Sequence, residues 1–405
     1  MAQPVEKPKK VFWVSDMEAV LTVFLVLLVL GTMNVFSSSF IMAQVNYDQP
    51  YYYFLYRQLI NLAVGFVCFI IACRVDYHRW RDWIVPVVLL TIVALVVVLV
   101  AGVEVNGSKR WLSLGPLPQI QPAEIAKLVA LMLVAAYAAH RVHNNLRINI
   151  INPQMAIIAL MAALIELEPD GGTMSIVLAV PFLVLMIAGL HKWKVISTIT
   201  LGIIGIAALS IVQPYRMERF KVLLDPWADA QGIGYQTVQS LSAIGSGGLT
   251  GMGLGMGVSK YSYLPEAHTD FAFAIFSQET GFLGVTLMLF LFAALTIYGA
   301  RIANAAQDAY GQFLAAGVLL LIVTQAIINL LMVAGILPVI GVPLPFISYG
   351  GTSLMVSMAS IGILINIGHQ SARAAKKRER EERLKGIQET LETKQGRSRH
   401  LELVK

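Results

Sequence analysis

The chain has 405 residues, of which 57% are hydrophobic and 13% charged, with a mean hydropathy of +0.69. Soluble domains carry about 25% charged residues, so the composition excludes one and points to an all-α polytopic membrane protein. The formal charge of +6 sits mostly in short loops and the C-terminal tail, which speaks for membrane orientation and against binding to nucleic acid.

Apolar runs long enough to cross about 30 Å of hydrocarbon fall near 18–41, 57–74, 84–102, 122–140, 152–167, 173–190, 195–213, 270–300, 311–336 and 347–368. They predict about ten spans, the fifth being the shortest. Lys and Arg occur at 7–10, 74–81, 141–147, 192–194, at Arg301 and from Arg373 onward. All lie on one side if both termini are cytoplasmic, as cytoplasmic loops keep such residues. This gives a cytoplasmic segment 1–17, a membrane domain 18–370 with a large outer loop 215–269 between the seventh and eighth spans, and a charged cytoplasmic tail 371–405. The basic stretch before the first span and the lack of a small-residue cleavage site predict that it is retained. Cys68 and Cys73 share one span, five residues apart, and point in different directions, so neither a disulfide nor a metal pair is expected.

Three outer segments carry charge beside membrane. In the first, Lys109 and Arg110 oppose the positive-inside bias; they suit an anionic ligand such as a diphosphate or anchor headgroups beside Trp111. Farther on, Pro122 fits the first turn of a helix. Glu124 and Lys127, three apart, share a helix face, so they either pair inside the protein or line a polar cavity. The second segment, Glu166 to Thr173, holds three carboxylates. Asp170 is the candidate for a role in a site, with an ordinary Asx turn as the alternative.

The third segment, residues 215–269, is too long for an idle connection. It begins basic and aromatic around Arg216, and its step-three apolar residues Val238, Leu241 and Ile244 predict a short helix lying in the interface. Gly251 to Gly257 alternates glycine with apolar residues but lacks the following Lys-Ser/Thr of a phosphate loop; it reads as a lid or a close-approach backbone. The segment ends in Glu266, His268 and Asp270, just before an apolar run. Ionisable groups at a bilayer are costly and usually functional, so Asp270 is the candidate catalytic carboxylate, with N-terminal capping as the bland alternative. Glu279 lies nine positions on, about half a turn out of phase, and is not expected to join it in a two-carboxylate site.

Taken together, these motifs resemble the SEDS family of shape, elongation, division and sporulation proteins across nearly all of residues 15–370. Asn329, Gly335, Pro338, Gly341 and the run Pro345-Phe346-Ile347-Ser348-Tyr349-Gly350-Gly351-Thr352-Ser353 are the most specific elements. Asn106-Gly107, Arg110-Trp111, Gln121-Pro122 with Glu124 and Lys127, Pro169-Asp170, Asp225-Pro226-Trp227, Gly234-Tyr235-Gln236 and Leu264 to Phe271 also match. Asp225 to Asp229 and Lys260 to Leu264 look more like the division branch than the elongation branch. Ala123, Ala272 and Gln278 depart from the usual pattern, and none of them replaces the candidate carboxylate.

The resemblance implies an inverting glycosyltransferase of the bacterial cytoplasmic membrane, at the division septum, that polymerises lipid II and releases undecaprenyl diphosphate. It further implies a class B penicillin-binding protein as partner, an FtsI-like transpeptidase, and contacts with FtsQ-, FtsL- and FtsB-like division proteins. Asp270 becomes the general base, and Lys109, Arg110, Glu124, Lys127, Asp170, Arg216, Glu266, His268 and Ser348 become substrate-binding candidates. No cofactor is certain; Mg²⁺ or Mn²⁺ on carboxylates is permitted, though no metal-ligand spacing stands out. Rival readings are a flippase for the lipid-linked precursor and a scaffold without catalysis.

Overall fold

A computed structural model describes residues 15–403 apart from 106, 107, 114, 116, 117, 213 and 262; side chains at 46, 105, 206, 209, 210, 212–216 and 386–403 lie outside the described ones as well. Asn106-Gly107 and the basic N-terminal stretch therefore fall outside the description.

Helices stand at every expected span: α1 (Asp16–Tyr47), α2 (Tyr53–Arg74), a short α3 (Tyr77–Asp82), α4 (Ile84–Ala101), α5 (Pro122–His143), α6 (Pro153–Leu167), α7 (Gly171–Ile187), α8 (Lys192–Val212), α9 (Pro214–Leu224), α10 (Tyr235–Ser246), α11 (Ala272–Asn304), α12 (Ala309–Val333) and α13 (Gly351–Leu403). Among the described residues seven of these are long and apolar enough to cross a membrane, which makes the chain a multi-pass membrane protein. Exposed apolar residues such as Leu90, Val100, Ile203 and Phe290 need no aqueous explanation in such a chain, because lipid solvates them.

Each helix starts where its sequence allows. Ser15 caps α1 by accepting from the Glu18 N–H, Asn152 caps α6 and Asp308 caps α12, each satisfying an orphan donor of the first turn. Pro122 opens α5 as expected. At 15 and 17 residues, α6 and α7 are about 22 and 26 Å long, shorter than the hydrocarbon layer. The turn joining them carries Glu168 and Asp170, both buried. α5 sits centrally, packed against α4, α7 and α12, with 83% of its apolar window buried; its polar residues cannot face lipid.

Three features go beyond the sequence reading. β1 (Val103–Val105) pairs antiparallel with β2 (Ser108–Trp111), with Lys109 opposite Glu104. An Asn-Gly pair between alternating residues is a hairpin signal that membrane-span reasoning passes over. Next, the expected short helix α10 is packed on the bundle: Thr237, Val238, Ser240 and Ala243 are buried against α11 and α12, and the Ser240 hydroxyl donates to the Val333 carbonyl at 2.7 Å.

The eighth expected span, finally, is broken. Gly281 has φ 66° and ψ −166° inside α11, which strands backbone groups on either side. Residues 248–253 satisfy them: Met252 N–H and Gly253 N–H donate to the carbonyls of Gln278 and Glu279, and Phe282 and Leu283 N–H donate to those of Gly248 and Leu249. Glycine is required here for space, since a Cβ on Gly251 would lie 2.1 Å from the Glu279 carbonyl oxygen. The glycine-rich run is thus close-approach backbone docked against a broken helix.

Candidate active site

The turn carrying Asp270 is fixed from below. Leu264, Ala267 and Phe271 are buried, and the carbonyl of Glu266, which takes a left-handed φ of 52°, accepts from the N–H of both Thr269 and Phe271. Asn329 of α12 then bridges two chains: its amide donates to the Asp270 carbonyl at 2.8 Å and to the Val342 carbonyl at 2.7 Å. The segment after α12 is thereby drawn over Asp270. Gly341 there has φ +69°, and a Cβ on it would sit 3.4 Å from Asp270 Oδ2.

The capping alternative for Asp270 fails. Phe271 holds the N-cap position of α11 and no side chain caps it; among the described residues no group donates to the Asp270 carboxylate. The carboxyl is pushed up to about 7, first by burial, then by the negative charges of Glu266 and Asp170, with Arg110 and Arg219 pulling the other way. Four charged groups from four segments thus converge on one carboxylate.

Asp170 is held as the N-cap of α7: Oδ1 accepts from the Thr173 N–H and Oδ2 from Gln121 Nε2, both at 3.0 Å. The Arg110 guanidinium turns inward, Nε donating to the Glu168 carbonyl at 3.0 Å and Nη2 to the Pro169 carbonyl. That geometry departs from a headgroup anchor and ties β2 to the turn between α6 and α7. Arg219 of α9 donates to the Val339 carbonyl, fastening α9 to the segment above Asp270. Glu168 is buried, and among the described residues neither of its carboxyl oxygens has a hydrogen-bond partner. Burial, and then the charge of Asp170, push it up to about 8 against the pull of Arg110, so it is largely neutral at pH 7.

The remaining candidates divide. Lys127 Nζ reaches Glu124 Oε1 at 2.8 Å and Gln325 Oε1 at 3.0 Å, all buried; of the two readings open for this pair, it is the internal ion pair that forms. Gln325 Nε2 continues to the Pro343 carbonyl and the Ser353 hydroxyl. Ser348 is buried, its hydroxyl accepting from the Leu344 N–H at 2.9 Å, so it shapes the loop. His268 is buried between the rings of Phe54 and Tyr349 and pushed down to about 4 by burial, against the pull of Glu266; it is neutral at pH 7 and offers no cationic contact. Glu266 Oε2 accepts from the Thr269 hydroxyl at 2.7 Å. Lys109 is exposed opposite Glu104, a cross-strand charge partner that accounts for it locally. The Arg216 side chain lies outside the described residues. Among the described residues no three His, Cys, Asp or Glu side chains lie close enough to cage a metal ion.

Sequence reasoning missed Glu168 and Arg219, although both stand inside segments it singled out. The available signal for Arg219 was its place in the basic, aromatic run around Arg216 that opens the outer segment.

Residues 17–373 match the model of a family described as cell cycle protein, FtsW/RodA/SpoVE. The probable peptidoglycan glycosyltransferase FtsW of Trichlorobacter lovleyi is 37% identical over 89% of this chain and 95% of that protein. Stage V sporulation protein E of Bacillus subtilis is 37% identical over 86% and 95%. Among solved structures, a chain of a peptidoglycan synthase complex that coordinates polymerization and crosslinking superposes with a TM-score of 0.72 at 26% identity, covering 89% of this chain and 99% of that one. The rod shape determining protein RodA of Thermus thermophilus superposes at 0.63 and 25% identity, over 89% and 98%. With nearly the whole membrane domain matched, the chain belongs to the FtsW/RodA/SpoVE family of cell cycle proteins.

Proposed function

We propose that this protein is an inverting peptidoglycan glycosyltransferase that polymerises lipid II during septal wall synthesis, with Asp270 as general base. The observation that carries the reading is the Asp270 carboxylate: fixed in place, accepting from no described donor, held near neutrality and within reach of the charges of two guanidinium groups. The names carried by its relatives, which are glycosyltransferases rather than transporters or scaffolds, support the same choice.

The acceptor sugar's 4-hydroxyl oxygen attacks the anomeric carbon of the lipid-linked donor, and the bond from that carbon to the diphosphate oxygen breaks. Asp270 takes the hydroxyl proton, a step that commonly contributes about 10²–10⁴-fold. Arg110, and Arg219 beside it, offset the charge that grows on the leaving undecaprenyl diphosphate. One displacement inverts the anomeric configuration, so no covalent enzyme intermediate is required. Glu266 and Asp170 tune Asp270 by raising its proton affinity. The Glu124–Lys127 pair and Ser348 hold the floor of the site.

Polymerisation of lipid II by the purified protein, followed across pH, tests this reading. The base must be ionised, so kcat/KM is expected to rise with unit slope up to about pH 7 and then level off. A rate flat between pH 5 and 8 would remove Asp270 from that role.

The rest of the assembly follows the same reading: ten spans, segments 1–17 and 371–405 cytoplasmic, residues 215–269 outside, and a class B penicillin-binding protein as partner at the septum. FtsQ-, FtsL- and FtsB-like proteins complete the set. Ala228 is exposed in the outer loop and Asn145 in a basic loop. A cysteine at 228 is expected to react with an impermeant maleimide in intact cells and one at 145 only after permeabilisation. The reverse pattern would invert the topology.

A further inference from the structure

Outside the cluster around Asp270, one buried polar knot is unused by the mechanism. Lys260, in the outer loop, and Glu279, on the first half of broken α11, form an ion pair at 2.6 Å with side chains 0% and 1% exposed. Ser37 of α1 donates to both Glu279 oxygens at 2.7 and 2.6 Å, and Lys260 Nζ stands 3.2 Å from the Ser37 oxygen. The Gly255 and Gly257 N–H groups donate to the same carboxylate at 3.1 and 3.3 Å, and the Lys260 ammonium lies 4.8 Å from the centre of the Phe40 ring. Next to it, Gln278 Oε1 accepts from the Ser259 N–H at 3.1 Å while its Nε2 donates to Ser246.

Burying two charges gains little stability over an apolar pair of the same volume. What such a pair does fix is register, because only one arrangement satisfies both charges. Here the register in question is that of a glycine-rich segment whose apolar side chains, Met252, Leu254 and Met256, are exposed and do not anchor it in the core. Lys260 and Glu279 close a stretch made of loop up to Phe271 and of the start of α11 from Ala272, in which Asp270 lies ten residues after the first and nine before the second.

We infer that the Lys260–Glu279–Ser37 knot is a positioning device for Asp270: it closes the 260–279 stretch at its base and holds the carboxylate at the reacting centre without touching substrate. This rests on the glycosyltransferase reading for its kinetic consequence, though not for its structural one. Lys260 and Glu279 are positioning residues. Asp270 itself is faced by Glu266 on its own turn, Asp170 at the start of α7, Arg110 on β2 and Arg219 on α9. A loosened loop shifts it relative to all four and admits water.

The test compares the intact protein with the double variant Lys260→Met/Glu279→Gln, which removes both charges together, and with Ser37→Ala, which removes one tether and leaves the ion pair. Hydrogen exchange of residues 263–271, read by mass spectrometry, needs no activity and is expected to quicken at least tenfold in the double variant. In lipid II polymerisation kcat is expected to fall about tenfold at unchanged KM, and the acid limb of the pH profile to move below pH 7 as water reaches Asp270. Ser37→Ala is expected to shift the same limb in the same direction by a smaller amount. Unchanged exchange in the double variant, or an unmoved acid limb in Ser37→Ala, would overturn the inference. If the parent protein showed no polymerisation, the glycosyltransferase reading would fail on its own, and the exchange measurement would still decide whether the knot holds the Asp270 turn.

Discussion

Asp270→Asn is expected to lower the rate of lipid II polymerisation by about 10²–10⁴-fold, the usual contribution of a positioned general base, while the protein inserts and folds as before. Asparagine matches aspartate in shape and keeps the backbone carbonyl that Asn329 grips at 2.8 Å, so the turn has no reason to move. No cap is lost, because the carboxylate caps nothing. The two proteins should differ in stability in a manner that depends on pH. A carboxyl whose proton affinity is raised by folding stabilises the fold below its unfolded pKa of about 3.9, and that contribution is lost as pH rises through about 7. Asparagine carries no such penalty. The variant is therefore expected to gain thermal stability relative to the parent between pH 4 and 7, with no further change above. Near-parental polymerisation by the purified variant would sink the assignment and move the search to Glu266, Asp170 and Glu168.

The spans were legible because membrane crossing imposes a length and an apolar composition that tertiary context does not override. α2, α4 and α12 start and stop within a few residues of the apolar runs that announced them. Asp270 was legible because a carboxylate beside an apolar run is costly enough to demand a reason. What composition could not carry was anything set by contacts distant in sequence. The break at Gly281 depends on backbone groups from residues 248–253 arriving to satisfy it, and a glycine inside an apolar run does not announce its φ. Ser348 entered as a binding candidate through the family resemblance alone, and the sequence did not announce that its hydroxyl accepts the Leu344 N–H within its own loop. The pairing of Lys260 with Glu279 could not be read either: nineteen positions separate them, and only the fold brings each to the partner that makes its burial tolerable.

Lys127→Met is expected to be among the most destabilising single substitutions in the chain. Lys127 is 1% and Glu124 4% exposed at the side chain, and their ion pair at 2.8 Å lies on central α5. Removing the ammonium leaves a carboxylate with no compensating charge in a site that water does not reach, and Glu124 Oε2 already lacks a hydrogen-bond partner among the described residues. Breaking a buried pair in this way costs about 3–5 kcal/mol. Gln325 loses its donor as well, which loosens the Pro343 carbonyl and Ser353 contacts beneath the site. The double variant Glu124→Gln/Lys127→Met removes both charges and should recover most of that loss, since a neutral amide tolerates burial far better than an unpaired carboxylate. Thermal unfolding in detergent of the parent, the single and the double variant measures this. If the single variant proved as stable as the parent, Glu124 would have to be taking up a proton or reaching water when Lys127 is gone, and the pair would not be the closed structural unit that its burial describes.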